Sequence, residues 1–155
     1  MIDLEELKAL ETKFQQGLER LQELSSCLKT VGARVGLTLE TNDVDMQRGE
    51  LSFCLAGTRY FVRVRLTDRT IDDVGVSYAA PMGWLDWGRY GVADRAERVE
   101  QSDFYDSQGV MCESERQAFH GDLKACDDTR LEQALLHTLQ RLVSKTIAMN
   151  NAGAG

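Results

Sequence analysis

Leu4, Leu7, Leu10, Phe14, Leu18, Leu21, Leu24, Leu28 and Val31 recur at steps of three and four, the spacing of one helical face. The pattern predicts a helix from about Leu4 to Val31, closed by Gly32, which is free to take the left-handed cap conformation. At about 1.5 Å per residue such a helix is about 40 Å long, more than a small domain's width, so part of its stripe calls for a second chain. Leu7, Phe14, Leu21 and Leu28 fall at one heptad position, with Leu10, Leu24 and Val31 at another and Gly17 as the interruption. These four are the candidates for a homodimer through the N-terminal helix. An amphipathic helix packed on its own sheet accounts for the same stripe.

After Gly32 the period falls to two. Val35, Leu37 and Leu39 alternate with polar or small residues, as do Leu51, Phe53 and Leu55, which predicts two strands. A turn at Ala56-Gly57-Thr58 leads into a third strand, Arg59 to Leu66, and Asp68-Arg69 turns into a fourth, about Thr70 to Ala79. At the C-terminal end, Thr129 and Glu132 form a capping box behind Asp127 and Asp128. Leu131, Leu135, Leu139 and Leu142 then mark a helix to about Met149, followed by a flexible tail, 150–155. The expected fold is α+β: an antiparallel four-stranded meander flanked by a long N-terminal helix and a C-terminal helix, a two-layer sandwich.

Between these elements lies the least regular segment. Pro81 to Gly91 holds the only proline, both tryptophans and three glycines, and reads as a loop that presents aromatics. Further on, short charged helices are expected within Ala93–Gln101 and Ser114–Phe119, with Phe104-Tyr105 set between Asp103 and Asp106. Residues 81–128 are accordingly expected as an acidic, aromatic-rich insertion within a single domain, 1–155.

Composition alters this picture little: 155 residues, 43% apolar and 28% charged suit an ordinary globular chain. The charge distribution says more. Of the formal net charge of −7, residues 81–128 hold 11 acids against 5 bases. That disfavours direct nucleic-acid binding, which needs clustered cations, and favours a basic protein partner. Four scattered cysteines, the lack of an apolar run of about 18 residues and an acidic N-terminus suggest a cytoplasmic protein without a membrane contact.

Candidate chemistry is sparse. His120 and His137 sit in no recognised catalytic motif, and Cys112, His120 and Cys126 lack metal-ligand spacing. Asp43 to Gly49 departs from a calcium loop, since Arg48 stands where glycine is needed. The paired acids Asp72-Asp73, Glu113/Glu115 and Asp127-Asp128 each have a structural explanation. Arg63 and Arg65, two apart on one strand, are either a modest anion site or cross-strand partners of an acid such as Asp72. No metal and no cofactor is expected.

Size, acidity and element order over about half the chain resemble the small acidic chaperones of bacterial type III secretion. The resemblance carries no shared motif and implies a dimeric α/β protein that holds a segment of another protein. The leading expectation is a non-enzymatic protein-binding module, an inhibitor, an immunity protein or a chaperone-type adaptor. In the inhibitor form its acids would imitate nucleic-acid phosphates. Its partner-binding residues would be Trp84, Asp86, Trp87, Tyr90, Asp103, Phe104, Tyr105 and Asp106. The alternative is a small-molecule-binding domain or small enzyme with a pocket between sheet and insertion, using His120, Arg63, Arg65 and Tyr105.

Overall fold

The computed structural model describes residues 4–91, 96–107, 109–114, 117–121 and 129–153, without the side chains at 69–73, 76–79, 111–114, 117–121 and 153. A long helix, α1 (Leu4–Val35), is followed by seven strands and a closing helix, α2 (Thr129–Gly153). The strands are β1 (Glu40–Thr41), β2 (Glu50–Leu55), β3 (Thr58–Asp73), β4 (Val76–Arg89), β5 (Arg98–Tyr105), β6 (Val110–Ser114) and β7 (Gln117–Gly121). They form one antiparallel sheet in sequential order. The α+β class stands, but the sheet has more strands than the expected four.

Most corrections concern where strands begin and end. Helix α1 runs past Gly32 to Val35, and it is Gly36, at φ 78°, that caps it. The Leu37 N–H reaches back to the Gly32 carbonyl at 2.8 Å, the six-to-one bond of a Schellman cap. Val35 to Leu39 is therefore no strand. Asp68-Arg69 is no turn either, because β3 continues through it to Asp73 and turns at Val74-Gly75. The expected loop Pro81–Gly91 is mostly strand β4, and the supposed insertion supplies β5, β6 and β7 to the same sheet. Strands replace the described parts of both short charged helices. Helix α2 takes in Asn150 to Gly153, which were expected to fray.

Side-chain alternation sorts the sheet into two faces. Leu51, Phe53, Tyr60, Val62, Leu85, Trp87 and Tyr105 pack in one core with Leu21, Leu24, Leu28 and Val31 of α1 and Leu131, Leu135, Leu139 and Leu142 of α2. Both helices thus cover the same face. Burial of each large side chain contributes about 1.5–3 kcal/mol. Leu21 and Leu28, two of the four seam candidates, are fully buried against the chain's own sheet. Phe14 is half-buried, its ring where a Cβ on Gly49 would lie. Only Leu7 of the four is exposed, at 47%.

The β3–β4 hairpin outruns its neighbours. The β2–β3 pairing ends at Glu50↔Arg63 and the β4–β5 pairing at Gly83↔Tyr105, while β3 and β4 stay paired to Asp73↔Val76. The result is a two-stranded arm whose base the N-terminal half of α1 approaches. At its tip Val74 and Gly75 both have positive φ, 47° and 77°, the pattern of a type I′ turn. A β-branched residue is strained there, and Val74 is also 96% exposed. Val74→Asn is expected to raise stability by about 1 kcal/mol, seen as a higher urea midpoint; an unchanged midpoint would show that the turn carries no strain.

Candidate functional site

Strand register, rather than a loop, positions the aromatic and acidic residues singled out above. Trp87 lies in the core at 1% exposure, and its indole N–H donates to Asp103 Oδ2 at 2.9 Å. Asp103 is itself fully buried and also accepts a bond from Gln101 Nε2 at 2.9 Å. Tyr105 is buried under α1, donating its hydroxyl to the Lys13 carbonyl at 2.7 Å; burial pushes its ionisation well above the usual tyrosine range. Trp87, Asp103 and Tyr105, expected as contact residues, are therefore buried in the core. Asp106 Oδ1 accepts the Gly109 N–H at 3.0 Å, closing the β5–β6 connection.

The remaining candidates share the sheet face that no helix covers. Arg65 makes a two-point pair with Asp86, at 2.7 and 3.2 Å, and Ser102 Oγ donates to the same carboxylate at 2.7 Å. Arg63 bonds Glu97 at 2.6 and 3.2 Å and Glu50 at 3.3 Å. The Arg63 guanidinium holds the Glu97 carboxyl below its ordinary range. Tyr90 donates its hydroxyl to Glu50, and burial followed by that bond pushes its ionisation up to about 12. Both arginines are thus engaged by carboxylates. Their acids are Glu50, Glu97 and Asp86 rather than Asp72, whose side chain lies outside the described residues.

Rings fill the gaps between these pairs. Trp84 stands directly across from Phe104 in the β4–β5 register, edge to face at 5.7 Å, with Arg65 5.5 Å from the indole and Thr67 Oγ1 accepting its N–H at 2.9 Å. Phe61, Tyr90, Arg59 and Arg63 make a second stack: Phe61 to Tyr90 at 5.2 Å, Arg63 4.2 Å from the Phe61 ring and Arg59 4.9 Å from Tyr90. Phe61 reaches 0% exposure without a helix over it. Among the described residues, side chains of the sheet itself pack against one another across this face.

A different surface offers an opening. The first turns of α1 and the base of the arm enclose a groove of about 270 Å³ lined by Glu5, Glu6, Ala9, Leu10, Asp68 and Pro81. Three carboxylates stand around an apolar floor, and no lysine or arginine is among the described lining residues. Lys8, one step along the helix, lies 3.8 Å from Glu5. Apolar surface continues outward through Leu4, 61% exposed, and Leu7. Sequence reasoning missed this site because its two halves are separated by some 60 positions. The available signal was a helix too long for the domain beneath it.

Of the other candidates, those among the described residues do not line this groove. His120 is in β7 opposite Met111, its side chain outside the description along with those of Asp73, Cys112 and Glu113; Glu115, Cys126, Asp127 and Asp128 lie outside it altogether. His137 is half-buried on α2. Asp45 accepts the N–H groups of Gln47 and Arg48, both at 3.1 Å, so the 43–49 segment is a side-chain-closed turn. Among the described residues, no three His, Cys, Asp or Glu side chains are placed to hold a metal ion, and no helix is long and apolar enough to cross a membrane. No protein-family model, no curated protein and no solved structure matches the chain.

Proposed function

We propose that this protein is a non-catalytic protein-binding module that receives a basic segment of a partner in the groove between α1 and the β3–β4 arm. The observation that carries this reading is the lining itself, with Glu5, Glu6 and Asp68 around Ala9, Leu10 and Pro81. An apolar floor supplies contact area, while a rim of one charge sign selects the partner and speeds encounter. The acidic face thus lies at the N-terminal half of α1 rather than in the 81–128 segment, whose most prominent aromatics are structural. A role as an adaptor or inhibitor follows from occupancy alone and needs no chemistry.

The test uses a fluorescently labelled decapeptide of alternating lysine and valine, with a glutamate–valine peptide of equal length as control. The lysine peptide should bind, more weakly as salt rises, because exposed charges are screened beyond about 10 Å at 0.1 M. The triple variant Glu5→Gln, Glu6→Gln, Asp68→Asn should lose about tenfold in affinity, since three exposed pairs at about 0.2–1 kcal/mol each approach the 1.4 kcal/mol of a tenfold change. Equal binding of the two peptides, or none by the lysine peptide, would sink the reading.

A further inference from the structure

Among the described residues the arm has two unpaired edges, and they are not equivalent. Val64 turns its N–H outward from β4, to the Gly49 carbonyl at 2.8 Å. Backbone groups alternate sides along a strand. Hence the N–H and C=O groups of Leu66, Asp68, Thr70 and Asp72 face the edge that β2 leaves open beyond Arg63. On the same reckoning the odd-numbered positions of β4, including Pro81, face that strand's own open edge beyond the end of β5. Pro81 therefore loses no ladder bond, which explains a proline within a strand. It also blunts that edge.

No such device interrupts β3. From Arg65 to Asp73 the open edge carries no proline to remove an outward N–H; its charges, Arg65, Asp68, Arg69, Asp72 and Asp73, limit pairing to a strand that complements them. At about 3.3 Å per residue this run spans about 30 Å. Elsewhere the sheet ends in short strands, β1 with two residues and β7 with five. Asp68 belongs both to this edge and to the acidic groove.

We infer that the open edge of β3 receives the basic segment as an added antiparallel or parallel strand, in line with β2 and beside the groove. This rests on the reading of the groove as a site for a basic partner and specifies how that partner is held. Main-chain bonds from Leu66, Asp68, Thr70 and Asp72 supply affinity independent of the partner's side chains. Alternate side chains of the added strand then fall on the helix side, where Glu5, Glu6 and Asp68 select lysine or arginine.

Two comparisons test this. The lysine–valine decapeptide is measured against the same peptide methylated at every internal backbone nitrogen, which keeps its charge but removes its N–H donors. Methylation should weaken binding at least tenfold. On the protein, Thr70→Pro removes an N–H from the β3 edge, and Ala79→Pro does the same on the β4 edge; circular dichroism and thermal melting report whether each folds. The first should weaken binding at least tenfold and the second should leave it unchanged. Equal binding of both peptides would overturn strand addition while leaving the groove reading intact. No binding by either peptide would overturn both.

Discussion

Replacing Trp87 by alanine is expected to destabilise the protein by about 3–5 kcal/mol, the usual cost of deleting a large buried aromatic. The indole sits against Phe53 at 6.2 Å, edge to face, inside the core shared by both helices. Its loss also takes away the N–H that Asp103 accepts at 2.9 Å, and a buried carboxylate deprived of a donor adds about 1–3 kcal/mol. Against a total stability of about 5–15 kcal/mol, the variant should unfold at low urea or fail to accumulate. Trp87→Phe separates the contributions, because it keeps most of the ring volume and removes only the donor. Trp84→Ala, on the half-buried outer cluster, should cost less than half as much as Trp87→Ala. Urea unfolding followed by circular dichroism measures all three, and a Trp87→Ala midpoint near that of Trp84→Ala would show that Trp87 is not a core residue.

The two tryptophans show why the middle of the chain was hard to read. Trp84 and Trp87 are three apart, so in a strand they fall on opposite faces, one in the core and one on the helix-free side. Glycine and proline at 81, 83 and 88 suggested a loop. Each has a reason that involves a different strand. A Cβ on Gly83 would lie 2.1 Å from Tyr105 Cζ, and one on Gly88 would lie 2.5 Å from Phe61 Cζ. Pro81 is tolerated because β5 ends before it. None of these partners is near in sequence, so local propensity pointed the wrong way.

Charge misled in a similar manner. The acids of 81–128 suggested a solvated surface, yet Asp86 is buried with Arg65 and Ser102, and Asp103 is buried with Trp87 and Gln101. A buried acid with its donors supplied by other strands looks in sequence like an exposed one. By contrast, α1 and α2 were legible because a helix declares its buried face through neighbours three and four positions away. The groove was legible only as a surplus: a stripe beginning at Leu4 on a helix of 32 residues, with more length than its own sheet covers.

Gly17 decides between the two uses of that stripe. As an interruption in a heptad seam it is a defect, and Gly17→Ala would strengthen the helix by about 1 kcal/mol and tighten any dimer. In the fold it is instead a point of close approach to the sheet. A Cβ there would lie 2.7 Å from Tyr105 Oη and 2.8 and 2.9 Å from the Val64 methyls. Tyr105 cannot readily yield, since its ring rests on Gly83 and its hydroxyl is bound to the Lys13 carbonyl. Gly17→Ala is therefore expected to destabilise by about 1–3 kcal/mol, as overpacking does, despite the better helix former. In a Val64→Ala background, where two of the three close contacts are gone, the same change should cost much less, so a double-mutant cycle should show coupling. Urea midpoints of the four proteins provide the cycle, and sedimentation provides the control. A more stable Gly17→Ala protein that shifts toward dimers would place the stripe between two chains and open the groove reading to revision, because the N-terminal half of α1 would then face a second copy.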